Sequence, residues 1–328
     1  MKKAGNIVKQ ALPWAVTIGI LAYVFGTQDY EKIKGAFLGA NLAFYIPAAV
    51  CILITTYTLD CLSQWFCLKW FCAPVRLRDV MVARGVSFLL MLINFNLGQG
   101  GMVYFFYRLT GKSLKTVAAA FFFTVFADFY AFITIFTVAT FFVGDIPQLQ
   151  AALIVACSLA WLYWIFGYSY WRFGLKNRIF KSVAEWEIFS SFRDAKFHHY
   201  LIIYLIRAPI LYLVIFLYYL AMISFGGKVP AAEFIVRIPI VLFVSGLPIA
   251  VAGLGQTQLG WNAMFGAYTS KELGTSLSLA WNFAMIVVNT IIALLCLPHG
   301  KSFLSVMKEA QKEKAEETPT TATEALTD

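Results

Sequence analysis

Six stretches of this chain are apolar enough, over a sufficient length, to cross a bilayer, and they leave little sequence outside. They are Ala11–Gly26, Asn41–Trp65, Thr116–Val143, Ala151–Tyr170, Tyr200–Phe225 and Thr275–Leu297. A spanning helix needs roughly 20 mostly apolar residues, and backbone in hydrocarbon must satisfy its own hydrogen bonds. The chain is therefore expected to be an all-α, polytopic membrane protein. The basic start, MKKAGNIVKQ, and the apolar run after it resemble a signal peptide. The following TQDYEKIK has no small-residue cleavage site, so an uncleaved first span is expected.

Composition agrees. Of 328 residues, 60% are hydrophobic and only 13% charged, against about 25% charged in a soluble domain. A soluble enzyme and a nucleic-acid binder are excluded, and the net charge of +9 becomes a statement about orientation. Six Cys and three His show no metal-binding spacing, so no cofactor or metal is expected. The sequence has no G-x-x-x-x-G-K-[ST] phosphate loop, which excludes ATP hydrolysis through that motif.

Two more apolar stretches, Val80–Leu109 and Ala232–Tyr268, are interrupted by glycines. Each reads as a helical hairpin that enters the membrane and returns to the same side. With both hairpins re-entrant and the N-terminus inside, 20 of the 26 Lys and Arg fall on the cytoplasmic side. Only Lys32, Lys34, Lys228 and Lys271 fall outside, and Arg207 and Arg237 lie within spans. That bias is what the positive-inside rule requires, and it puts both termini in the cytoplasm. Residues 1–298 form one membrane domain, and 299–328 a polar cytosolic tail that is partly disordered by its composition. The basic, aromatic segment Trp171–His199 is expected along the inner leaflet.

The element order then repeats with opposite orientation, in halves of about 10–143 and 151–297. Such inverted repeats place binding sites at paired broken helices. The breaks carry Leu97-Gly98-Gln99 and Leu254-Gly255-Gln256. Helices restarting after Gly101 and Gly255 would aim free N–H groups at the membrane interior, which suits an anionic group such as a lipid phosphate. Gly98, Gly100, Gly101, Gly253 and Gly255 would line that cavity, or else permit close helix packing. Gln99, Gln256 and Gln258 offer neutral hydrogen bonds to a headgroup or to one another.

Ionisable side chains at bilayer depth are costly and need a reason. Arg207 and Arg237 both occur as Arg-x-Pro, where proline frees a carbonyl one turn earlier. They read as a phosphate-binding pair. The alternatives are an i,i+4 ion pair of Arg237 with Glu233 and snorkelling of Arg207 to the inner face. Asp128 sits deep in an apolar helix, to pair with Arg207 or Arg237 or to carry a coupling proton. Asp60 reads as an interfacial residue and Arg84 as one of the orientation charges.

The stretch LPIAVAGLGQTQLGWNAMF, Leu247 to Phe265, resembles the Pro-x-Ser-x-Gly-Gly-x-Gly-x-Arg-Glu motif of the flippase-like family, which includes the transmembrane region of lysylphosphatidylglycerol synthases. Pro248, Gly253 and Gly255 match. Asn94, Gly100, Gly101 and Asp128 fall near the residues of the family's other signature. Ala252-Gly253 stands for the Gly-Gly doublet, Thr257-Gln258 for Arg-Glu, and Met102 for a glutamate. The resemblance covers roughly residues 10 to 300 and implies a lipid transporter of the inner membrane. Its partners would be anionic phospholipid or lipid-linked phosphate, with a homo-oligomer or an envelope-synthesis protein as a further partner. The alternatives are a non-transporting accessory subunit of a lipid or envelope biosynthesis complex, and an intramembrane lipid-modifying enzyme.

Overall fold

The computed structural model describes residues 29–93, 95–142, 147–173, 185–246 and 256–300. Those residues form α-helices and short 3-10 turns, with no strand among them. Eleven α-helices follow in order: α1 Tyr30–Gly39, α2 Leu42–Phe71, α3 Leu77–Ile93, α4 Phe95–Thr110, α5 Leu114–Ala139, α6 Pro147–Phe173, α7 Ser190–Asp194, α8 Phe197–Ser224, α9 Ala231–Gly246, α10 Gln256–Phe265 and α11 Lys271–Cys296. Five long apolar helices have the length and composition to cross a membrane: α2, α5, α6 from Gln150, α8, and α11 continued to His299. They coincide with five of the six expected spans. The sixth, Ala11–Gly26, and the tail beyond Gly300 lie outside the described residues.

Contacts between helices give the directions. Asn41 N donates to Ser224 O at 2.8 Å at one end of α2 and α8. Trp70 stacks on His199 at the other, with ring centroids 4.3 Å apart. The two helices are therefore antiparallel along their length. Gln64 donates to Thr124 and Phe71 meets Phe123, so α5 is also antiparallel to α2 and runs with α8. Tyr130 donates to Ala160 O at 2.7 Å, which binds α6 to the outer side of α5.

This threading gathers Lys69, Arg76, Arg78, Lys112, Lys115, Arg193 and Lys196 at one end of the bundle, where Lys115 meets Glu187. Lys32, Lys34, Lys228 and Lys271 sit at the other, where Ser276 donates to Ile33 O. Among the described residues, these two groups of basic side chains thus sit at opposite ends of the bundle.

Three segments add to the expectation or depart from it. The region after Gly26 contains α1, capped by Asp29 accepting from Glu31 N and Lys32 N. Part of the segment Trp171–His199 folds into the bundle: Phe192, with 2% exposure, packs against Phe123 and Phe126.

The third difference concerns the first hairpin. Its helices α3 and α4 do pack together, but the interruption falls between Ile93 and Phe95 and not at Leu97-Gly98-Gln99. The helix does not restart after Gly101, because α4 runs continuously through Gly98, Gly100 and Gly101. A Cβ at Gly98 would strike the Met91 side chain and lie 2.8 Å from its backbone nitrogen, and one at Gly101 would strike Leu90. These two glycines let α4 lie against α3. Gly100 has nothing within 4 Å of an added Cβ.

Candidate functional site

Four ionisable side chains meet in the middle of the bundle. Asp60 comes from α2, Arg84 from α3, Asp128 from α5 and Arg207 from α8. Arg207 donates from Nε to Asp128 Oδ1 at 2.6 Å and from Nη2 to Asp128 Oδ2. Its Nη1 reaches Asp60 Oδ1 and Ser63 Oγ. Arg84 donates from Nε to Asp60 Oδ2 at 2.6 Å. The charges alternate as a row, Arg84–Asp60–Arg207–Asp128, and sum to zero.

Helix arithmetic places this row deep. At 1.5 Å per residue, Asp60 lies about 16 Å from the end of α2 at Phe71, and Arg207 about 15 Å from the start of α8. Asp128 lies about 21 Å into α5. These are distances from the same, basic end, against a hydrocarbon core of about 30 Å. Carboxylates and guanidiniums there are tolerable only when paired and hydrogen-bonded.

Asp60 is therefore not an interfacial residue, because it accepts from two guanidiniums at mid-depth. Arg84 is not an orientation charge, because its side chain is 12% exposed and its Nε is held by Asp60. Arg207 does not snorkel to the inner face: its donors are held by Asp128, Asp60 and Ser63. The structure brings Asp128 and Arg207 together and leaves Arg237 elsewhere.

Exposure distinguishes the four. Asp128 keeps 34% of its side chain exposed, against 11–13% for Asp60, Arg84 and Arg207. One end of the row is thus a carboxylate with an open side.

Arg237 lies two turns into α9. It pairs with Glu233 at i,i+4, 2.8 Å from Nη2 to Oε2, and its guanidinium lies over the Tyr268 ring at 5.4 Å. Arg207 and Arg237 thus engage different partners, as two separate groups.

At the second hairpin, α10 begins at Gln256, where the sequence places a restart after Gly255. Gln256 Nε2 donates to Val244 O at 3.0 Å and Ser245 O at 2.7 Å, closing the end of α9. Gln258 is fully buried. Gly253 and Gly255 lie outside the described residues. Gln99 keeps a buried Oε1 that no described group bonds. Among the described residues, no three His, Cys, Asp or Glu side chains converge to hold a metal.

Two cavities flank the α5–α8 core. One of about 290 Å³ lies between α5, α6 and α8, walled by Phe126, Tyr130, Trp161, Trp164 and Tyr200. A larger one of about 800 Å³ lies between α5, α8 and α9, walled by Ile135, Tyr212, Phe216 and Ile235. Both are almost wholly apolar.

Comparison with known proteins adds one match. The profile of the family described as "Lysylphosphatidylglycerol synthase TM region" matches residues 10–293. No curated protein matches the chain.

Proposed function

The chain belongs to the family of the lysylphosphatidylglycerol synthase transmembrane region, and on that premise we propose that it moves an anionic lipid between leaflets. The cargo is an anionic phospholipid or a lipid-linked phosphate, and its movement needs no nucleotide hydrolysis in this chain. One observation carries the reading: a neutral row of four charges at mid-depth whose terminal carboxylate, Asp128, is one-third exposed. Structural ion pairs in apolar surroundings gain from being closed off. A member left open at membrane depth suits a group that trades partners during transport.

In this proposal Asp128 carries the coupling proton, and the two hairpins form the gates of an inverted repeat in the inner membrane. Both termini face the cytoplasm, because the lysine- and arginine-rich end of the bundle takes the inner side. Gln99, with its unpaired buried oxygen, and Gly100, with open space beside it, face the passing headgroup. Gly253 and Gly255 serve the same role in the second hairpin. Arg237 and Glu233 form a second polar station toward the opposite end.

The dense pairing of Arg207 favours one other reading. A guanidinium with four of its five N–H donors in use is a structural tie, as expected of an accessory subunit that organises a lipid or envelope biosynthesis complex. Asp128→Asn separates the two. In purified, folded protein reconstituted in vesicles, it abolishes proton-dependent lipid movement if the chain transports. It leaves cellular function intact if the chain is a scaffold.

A further inference from the structure

Arg207 was the natural candidate for an anion ligand, yet its fork is filled by two carboxylates and a hydroxyl. Arg84 is served differently. Its Nε holds Asp60, but its Nη1 reaches only sulfurs, Met102 Sδ at 3.3 Å and Met91 Sδ at 3.8 Å. Among the described residues, no oxygen accepts a hydrogen bond from its Nη atoms. Its guanidinium stands over the Phe88 ring at 4.9 Å, which fixes the plane without using a donor.

We infer that Arg84, at the cationic end of the row, is the residue that grips a phosphate group. The inference rests on the reading of this cluster as the transport site. A thioether is a weak acceptor, and methionine repacks readily. Met91 and Met102 therefore act as soft occupants that a phosphate oxygen displaces. A phosphate presents paired oxygens to the guanidinium fork and forms charge-assisted bonds there.

The charge order supports the same end. Asp60 is shared by two guanidiniums, whereas the second carboxylate, Asp128, lies beyond Arg207. The Arg84 end is locally positive although the row is neutral. An anion docking there extends the alternation of signs. The partner elements fit a mobile headgroup site, since Arg84 and Met91 belong to α3 and Met102 to α4, the two arms of the first hairpin.

The test is calorimetric titration of the purified full chain in detergent with dihexanoyl phosphatidic acid and, separately, with inorganic phosphate. Arg84→Gln is expected to weaken the lipid phosphate about ten- to a hundredfold, the loss of charge-assisted hydrogen bonds. Arg84→Lys falls between, since it keeps the charge and loses the fork. Met102→Glu sets a carboxylate against Nη1 and abolishes binding while leaving Arg84 in place, which covers the case in which Arg84→Gln fails to fold.

Equal affinity for inorganic phosphate, lost in the same variants, assigns the same grip to free phosphate. Wild-type affinity in folded Arg84→Gln and Met102→Glu, or no binding of either probe to the wild type, overturns the assignment. Arg84-dependent binding without lipid movement in vesicles would refute the transport reading alone. Lipid movement indifferent to Arg84→Gln would refute the Arg84 assignment alone.

Discussion

Arg207 lies against Asp128 with Nε 2.6 Å from Oδ1, a contact that joins residues 79 apart in sequence and ties α8 to α5 at mid-depth. Because Arg207 also holds Asp60, it is the keystone of the row. Arg207→Ala would leave Asp128 without its partner and Asp60 with Arg84 alone.

Removing one partner of a buried pair costs about 3–5 kcal/mol. Arg207→Ala is therefore expected to lower the unfolding temperature in detergent steeply, and Arg207→Ala combined with Asp128→Asn to recover part of the loss. Thermal unfolding by tryptophan fluorescence measures both. Equal stability of Arg207→Ala and wild type would contradict the pairing. Loss of lipid movement in Arg207→Ala alone would not separate a transport role from this structural one.

Arg237→Ala should behave differently. The Glu233–Arg237 pair is a local i,i+4 contact near one end of the bundle, with the glutamate 35% exposed, and such pairs are worth about 0.2–0.5 kcal/mol. The same unfolding measurement is expected to show almost no shift. A drop as large as that of Arg207→Ala would mean that Arg237 carries far more of the fold than its pair with Glu233 and its contact with Tyr268.

The glycines of α4 give a test by position. Gly98→Ala pushes a methyl into Met91, including its backbone, and is expected to destabilise by about 1–3 kcal/mol. Gly100→Ala meets nothing within 4 Å, and in a helix it is expected to stabilise by about 0.5–1 kcal/mol. Unfolding of the two variants side by side checks this. The reverse order would place the α3–α4 contact elsewhere.

Orientation is accessible to thiol labelling. Lys271 and Lys112 are exposed at opposite ends of the bundle. Lys271→Cys is expected to react with an impermeant maleimide in intact cells, and Lys112→Cys only after permeabilisation. The opposite pattern would invert the topology. Thr275 is unsuited to this purpose because it is fully buried against its neighbours.

How much of this was legible in the sequence follows from energy. The five described spans were plain, because apolar length alone specifies them. Asp128 and Arg207 stood out because a lone ion in a long apolar run needs a partner. Asp60 and Arg84 did not, because each lies within about three turns of a basic loop and so resembles an interfacial charge. Only the antiparallel packing of α2 with α8 carries Asp60 to Arg207.

Gly98 and Gly101 misled for a related reason. Glycine marks both a broken helix and a close helix contact, and sequence spacing does not distinguish them. The side chains of Met91 and Leu90 on the facing helix do. At the second hairpin the glutamine that ends the motif, Gln256, closes α9 by bonding two of its carbonyls.

The most direct measurement is the rate of translocation of a labelled anionic phospholipid in proteoliposomes of the purified chain, with a zwitterionic lipid as comparison. Wild-type protein is expected to move the anionic lipid faster than protein-free vesicles, with acceleration by an imposed pH gradient. Asp128→Asn, folded by size-exclusion profile, is expected to lose that acceleration. Rates equal to those of empty vesicles for both lipids, with and without the gradient, would contradict the account.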